Sequence, residues 1–256
     1  MAASTTVAGV DLEIVERGSG PALLFLHAGE DLGAKRPWLE RLAERHRVIA
    51  PSHPGFGGSA LPDWVGSVDD LAYLYLDLAD RLKLSDATLV GCSFGGWIAA
   101  EMLVRSTAHF ARAVLASPLG IKVSERDVRD IADMHAMSRA EFLSKAWADP
   151  ANGDIDMAAL PDAELRGLVA GREALCLFGW RPYMHNPRLK RWLHRIDRPT
   201  RLVWGAADRI LSPAYRAGWA EALPQAQSIT IADAGHFPHQ EQPARFAAAV
   251  TEFAAS

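Results

Sequence analysis

The sequence predicts an α/β fold, a mostly parallel central sheet flanked by helices, and three observations carry that expectation. Six short apolar runs end in turn residues without alternating polar positions, the pattern of strands buried on both faces of a parallel sheet. Helical patterns lie between most of them, as right-handed crossovers require. Hydrophobic residues make up 49% of the 256, enough for a substantial buried core. The formal net charge of -4 offers no overall positive field to draw phosphate backbones or anionic lipid, so neither nucleic acid nor a membrane surface is an expected partner.

The strand-like runs are Ala22 to Gly29 (ALLFLHAG), His46 to Gly58 (HRVIAPSHPGFGG), Ala87 to Ser93 (ATLVGCS), Arg112 to Pro118 (RAVLASP), Thr200 to Asp208 (TRLVWGAAD) and Gln227 to His236 (QSITIADAGH). A helix is predicted from Val68 to Leu84, where Leu71, Leu74, Leu78 and Leu82 keep helical spacing behind a Ser67-x-x-Asp70 capping box. Others are predicted over Phe94 to Arg105, Pro213 to Leu223 and Pro243 to Ala254, the last two opening on a proline that a first helical turn tolerates. From Leu119 to Ile196 no strand pattern stands out. Four helical patterns dominate there: SERDVRDIADMHAM, SRAEFLSKAWADP, DAELRGLVAGREALCLFGW and PRLKRWLHRI. The expected organisation is a core of residues 1–118 and 197–256 carrying a helical cap of residues 119–196 between two late strands. Inserts beside the ends of parallel strands usually carry ligand contacts, so the cap is read as a lid.

The chemistry concentrates at Gly91-Cys92-Ser93-Phe94-Gly95, a Gly-x-Ser-x-Gly between a strand and a helix. In that context the serine sits on a sharp, strained turn, and the glycines remove Cβ atoms that would collide. Cys92 occupies the variable position and is read as packing. A serine hydroxyl is a weak nucleophile and needs a histidine base held by a carboxylate. Asp208 and His236 stand at the ends of the two last strand-like runs and complete the order Ser93, Asp208, His236. Asp233, three residues before the histidine, is the rival carboxylate.

On these residues, together with PGFGGS and AGHFPHQEQP, nearly the whole chain resembles the α/β-hydrolase family. The resemblance implies an α/β-hydrolase fold, favours Asp208 over Asp233, and implies that Asp233 shapes the turn presenting His236. It further implies an oxyanion hole built from the backbone N–H groups of Gly29 and Phe94. The chain departs from the family at Ala28, where many relatives carry glycine, and at Ser52, where they often carry aspartate. His27 is read as stabilising its loop, and His239 as lying outside the catalytic set.

The expected function is cleavage of carboxylic esters of small or medium apolar substrates through an acyl-enzyme, with no cofactor and no metal. Trp147, Phe178, Trp180, Tyr183 and Phe237 are the candidate substrate contacts. Trp192 belongs with the aromatic residues of the insert, which equally fit packing of the cap on the core. Arg172 and Arg181 read as surface residues that could otherwise meet a substrate carboxylate. A carbon–carbon bond hydrolase of aromatic degradation shares the fold, triad and cap, but commonly has tryptophan where this chain has Phe237. A receptor-like relative that binds without turnover is the alternative outside enzymes. Neither a metal-ligand spacing nor a phosphate-binding fingerprint occurs, and two cysteines provide no disulfide framework. With no basic, apolar leader pattern at the N-terminus, the chain reads as soluble and cytoplasmic.

Overall fold

The computed structural model describes residues 2–30 and 36–255. Its strands are β1 (Ala2–Val7), β2 (Val10–Arg17), β3 (Ala22–Leu26), β4 (Arg47–Pro51), β5 (Ala87–Cys92), β6 (Phe110–Ala116), β7 (Thr200–Gly205) and β8 (Gln227–Ile231). They form one sheet in the order β1-β2-β4-β3-β5-β6-β7-β8. The β1–β2 and β2–β4 pairings are antiparallel and all others parallel. In the sheet's middle the unalternated runs are buried as expected: every residue of β5, Leu23 to Leu26 of β3 and Val48 to Pro51 of β4. At the edge, β8 has only Ile231 buried, because no strand covers its outer side.

The helices are α1 (Pro37–Ala43), α2 (Val68–Arg81), α3 (Phe94–Arg105), α4 (Arg139–Ala146), α5 (Asp162–Gly179), α6 (Leu189–Trp192), α7 (Pro213–Ala222), α8 (Pro238–Glu241) and α9 (Pro243–Ala255). The capping box of α2 forms as expected: the Asp70 N–H donates to Ser67 Oγ, and the Ser67 N–H donates to Asp70 Oδ2. Leu71, Leu74 and Leu78 are buried on the face that packs on α3, and α1 lies against α9.

Three parts differ from the sequence expectation. The β1–β2 hairpin precedes the first expected strand and closes through Ala8 and Gly9, both at positive φ, with Val7 opposite Val10. Helices α1 and α8 were not expected. Ser124 to Met137 forms no helix; its carboxylates make local turns of the backbone instead. Asp130 accepts from the Val123 and Ser124 N–H groups and from Lys122 Nζ, and Asp133 accepts from the N–H groups of His135 and Ala136.

Between β6 and β7 the described residues hold helices α4, α5 and α6 and no strand, and the stretch is stitched together near its two ends. Gly120 pairs with His185, the Gly120 N–H donating to the Met184 carbonyl and the Asn186 N–H to the Gly120 carbonyl. Asn186 also donates to Glu101, a buried carboxylate on α3 that Arg105 and Trp97 satisfy as well. The insert is therefore anchored on the helix that follows Ser93.

The departure at Ser52 has a structural counterpart in Glu13 of β2. Its Oε2 accepts from Ser52 Oγ and from the Gly58 N–H, both at 3.0 Å, so a carboxylate from the neighbouring strand holds the turn. Glu13→Ala should lower the unfolding free energy by about 1–3 kcal/mol in urea titrations. Ser52→Asp in that background should restore part of it. An unchanged midpoint in the single variant would show that Glu13 does not hold the turn.

Candidate active site

Ser93 joins β5 to α3 at φ 49° and ψ -112°, a left-handed backbone that a residue with a Cβ adopts only under compulsion. The compulsion comes from its neighbours. The Ser93 N–H donates to the Ala116 carbonyl, and the Ser93 carbonyl accepts from both Trp97 and Leu119. A Cβ at Gly95 would overlap the carbonyl oxygens of Leu26 and His27, and one at Gly96 would reach Pro118 at 2.9 Å. These glycines let the first turn of α3 press on the ends of β3 and β6. Ser93 makes no side-chain cap to α3; its hydroxyl points elsewhere.

Ser93 Oγ lies 2.7 Å from His236 Nε2, and His236 Nδ1 lies 3.1 Å from Asp208 Oδ2, with all three residues buried. Asp208 Oδ1 accepts from the N–H groups of Ile210 and Leu211, which fixes the carboxylate. Burial by itself would raise its pKa, but the His236 charge and hydrogen bond, the Arg216 charge and the Leu211 N–H together hold it below the ordinary value. An ionised Asp208 only accepts, so Nδ1 carries the imidazole proton and Nε2 is left to accept from the Ser93 hydroxyl. Asp233 sits in a turn at φ 57° and pairs with Arg245 at the surface, away from the imidazole.

The loop after β3 is held by imidazoles. His27 Nε2 accepts from the His53 N–H, so its Nδ1 donates, shared between the carbonyls of Ala28 and Glu30 at 2.7 Å each. His53 stacks on His27 at 3.7 Å, its Nε2 donates to the His27 carbonyl, and its Nδ1 accepts a hydrogen bond from the Tyr75 hydroxyl. Burial, reinforced by the adjacent His27, pushes the His53 pKa well down and keeps it neutral. Among the described residues neither the Gly29 nor the Phe94 N–H donates a hydrogen bond within the protein. Gly29 follows the end of β3 and Phe94 the end of β5, adjacent strands with Leu26 opposite Gly91.

The acid and histidine loops are packed backbone against backbone. The Ala207 N–H donates to the Ala234 carbonyl, and a Cβ at Gly205 would overlap the Ala234 and Gly235 carbonyl oxygens. Helix α4 ends on both loops: its last carbonyls, Lys145 and Ala146, accept from the N–H groups of Arg209 and His236. Those carbonyls have no partner within the helix. Glu241 completes the junction by accepting from the Gly235 and Ala148 N–H groups.

Of the candidate substrate contacts, three gather around the triad. Phe237 meets His236 edge-on at 5.0 Å, Trp147 meets Phe237 at 5.3 Å, and Phe178 stacks on Phe94 at 6.0 Å. Helix α5 covers the same region: Leu175 lies over Gly29, Ala174 against Gly55, and Gly171 against Phe56. Trp180 and Tyr183 are not brought to the triad. Trp180 is exposed beside His135, Tyr183 spends its hydroxyl on the backbone of Met134 and Ala132, and both line a separate surface cavity of about 400 Å³. Trp192 is exposed too.

His239 is buried among Phe25, Trp38, Phe237 and Phe246, and burial pushes its pKa down to about 3. Cys92 and Cys176 are free thiols, and burial raises the pKa of each. Among the described residues no group of three or more His, Cys, Asp or Glu side chains is placed to hold a metal ion. Sequence reasoning missed Glu30, Gln240 and Glu241. All three lie within or beside the quoted motifs, but a carboxylate's partner across the fold leaves no local pattern.

A family profile described as the Alpha/beta hydrolase family matches residues 23–249. The chain is 26% identical to the 2-hydroxymuconate semialdehyde hydrolase of Pseudomonas sp. (strain CF600), over 97% of this chain and 92% of that one. Its fold resembles the solved meta-cleavage product hydrolase of Pseudomonas fluorescens IP01 at a TM-score of 0.74, with 22% identity and 98% and 97% of the two chains covered. It also resembles naproxen esterase of Bacillus subtilis at a TM-score of 0.75, with 21% identity and 99% and 90% covered.

Because Gly205 lets the two loops touch, Gly205→Ala should lower the unfolding free energy by about 3 kcal/mol or more. A denaturant midpoint within error of the unsubstituted protein would mean the loops are not locked together at this point.

Proposed function

The chain belongs to the alpha/beta hydrolase family, and from that premise we propose that it is a serine hydrolase cleaving carboxylic esters of small or medium apolar substrates. The observation that carries this reading is the buried relay from Ser93 Oγ through His236 to Asp208, at 2.7 and 3.1 Å, mounted on a strained turn. His236 Nε2 takes the hydroxyl proton as Ser93 Oγ attacks the ester carbonyl, and Asp208 holds Nδ1–H and stabilises the imidazolium. The free N–H groups of Gly29 and Phe94 receive the oxyanion. His236 returns its proton to the departing alcohol. Water, deprotonated by the same nitrogen, then releases the acid from Ser93.

Residues 119–196 act in this reading as the cap, and Trp147, Phe178, Leu175 and Phe237 supply an apolar wall for the substrate. Trp180 and Tyr183 are assigned to the outer side of the cap. The second reading, cleavage of a carbon–carbon bond, draws its support from the similarity to the 2-hydroxymuconate semialdehyde hydrolase. Phe237, where tryptophan is common in that group, weighs against it.

Wild type should turn over p-nitrophenyl esters with an optimum chain length, and Ser93→Ala should abolish that turnover while leaving the far-UV circular dichroism unchanged. Near wild-type activity in purified Ser93→Ala would remove the nucleophile assignment. Asp208→Asn should lower kcat by about 10⁴, since the imidazole loses the partner that fixes its tautomer. Turnover of a vinylogous diketone with no hydrolysis of any ester would move the assignment to the second reading; tight ligand retention without turnover of either would leave a binding protein.

A further inference from the structure

Trp180 and Tyr183, which stay away from the triad, line a surface cavity of about 400 Å³ with His185 and the loop that follows β6. None of Ser93, Asp208 and His236 lines it. Its volume is that of a small-molecule site. The walls are held from behind. Ile131 bridges Leu211, the Ala132 N–H donates to the Ile210 carbonyl, and the Ser212 N–H donates to the Asp130 carbonyl. His135 packs on both rings, 5.7 Å from Trp180 and 6.2 Å from Tyr183. A cavity fixed in this way needs little ordering when a ligand enters, so little affinity is lost to it.

The polar groups of the cavity divide into those already committed and those left over. Lys122 Nζ donates to Ser124 Oγ, to the Val128 carbonyl and to Asp130 Oδ2, which uses all its donors. Asp130 accepts on both carboxylate oxygens, and so does Asp133. The Tyr183 hydroxyl is spent on Ala132 and Met134, and His185 Nδ1 donates to the Tyr183 carbonyl. Arg129 gives one N–H to Asp133 and keeps the rest. Arg126 has no hydrogen bond or ion pair among the described residues. Apart from His185 Nε2, the spare side-chain capacity is therefore mainly donor capacity, on two guanidinium groups. Glu125 and Asp127, the other carboxylates of this loop, do not line the cavity.

A guanidinium presents a planar fork of N–H groups that pairs two by two with a carboxylate. On the same cavity stand Trp180, 59% exposed, and Val128, 54% exposed. An indole left bare there offers its face to an aromatic ring. We propose that this cavity is a second ligand site that takes a small aromatic carboxylate, its ring against Trp180 and its carboxylate held by Arg126 and Arg129. A cation meets like charge there, and a neutral ring of the same shape gains stacking alone. The site stands apart from Ser93 and does not rest on the hydrolase reading.

Three probes of one shape test this by titration calorimetry: 1-naphthoate, 1-naphthylmethanol and 1-naphthylmethylammonium, with wild type, Arg126→Gln and Trp180→Ala. Wild type should bind the carboxylate about tenfold more tightly than the alcohol, with the ammonium weakest. Arg126→Gln should remove that preference by weakening the carboxylate about tenfold while leaving the alcohol unchanged. Trp180→Ala should weaken carboxylate and alcohol together. Arg126 makes no contact that folding uses and Trp180 is exposed, so both variants should keep the wild-type denaturant midpoint. Carboxylate binding that survives both substitutions lies elsewhere on the protein and overturns the proposal. So does a wild type that binds no naphthoate, or one that prefers the ammonium.

Discussion

One hydrogen bond, 2.7 Å between Ser93 Oγ and His236 Nε2, joins residues 143 apart, and the surrounding structure is organised to hold it. A bond between loops that distant in sequence persists only where both ends are rigid. The Ser93 end is rigid because its backbone is bonded to β6 and to the turn after it, while Gly95 and Gly96 let α3 close against the sheet. The His236 end is rigid because Gly205 lets the histidine loop lie on the end of β7. Strain in the Ser93 backbone is tolerated because these contacts over-determine it.

The insert belongs to that framework. Helix α4 ends on the acid and histidine loops, so the carbonyls its last turn leaves unsatisfied become acceptors for Arg209 and His236. Glu241 holds the same corner through Gly235 and Ala148. Helix α5 covers Gly29, Gly55 and Phe56. Movement of α4 would disturb the His236 backbone, whereas movement of α5 would uncover Gly29. The two helices differ in what their displacement would cost: α4 is held through backbone hydrogen bonds, α5 through side-chain contacts.

Buried polar groups around the site are satisfied by partners from other elements. His27, His53 and Tyr75 pass hydrogen bonds among themselves as neutral groups, which spares the loop a buried charge. Glu13 supplies from β2 the carboxylate that position 52 lacks.

By itself the sequence determined the central strands, the four main helices and the order Ser93, Asp208, His236, because these depend on local rules: unbroken apolar runs, helical spacing, caps, and glycines flanking a turn. Its errors were local as well. Ser124 to Met137 has helical spacing, yet Asp133 takes the N–H groups of His135 and Ala136 in a local turn, and the β1–β2 hairpin went unread although Ala8-Gly9 sits between alternating residues. Only the tertiary structure decided which aromatic side chains face the triad, sending Trp147, Phe178 and Phe237 inward and leaving Trp180 exposed. It alone paired Glu13 with Ser52, α4 with His236, and Glu30 with Gln240. The physical reason is that such partners are chosen by how helices and loops settle on a sheet edge, across separations where sequence carries no periodic signal.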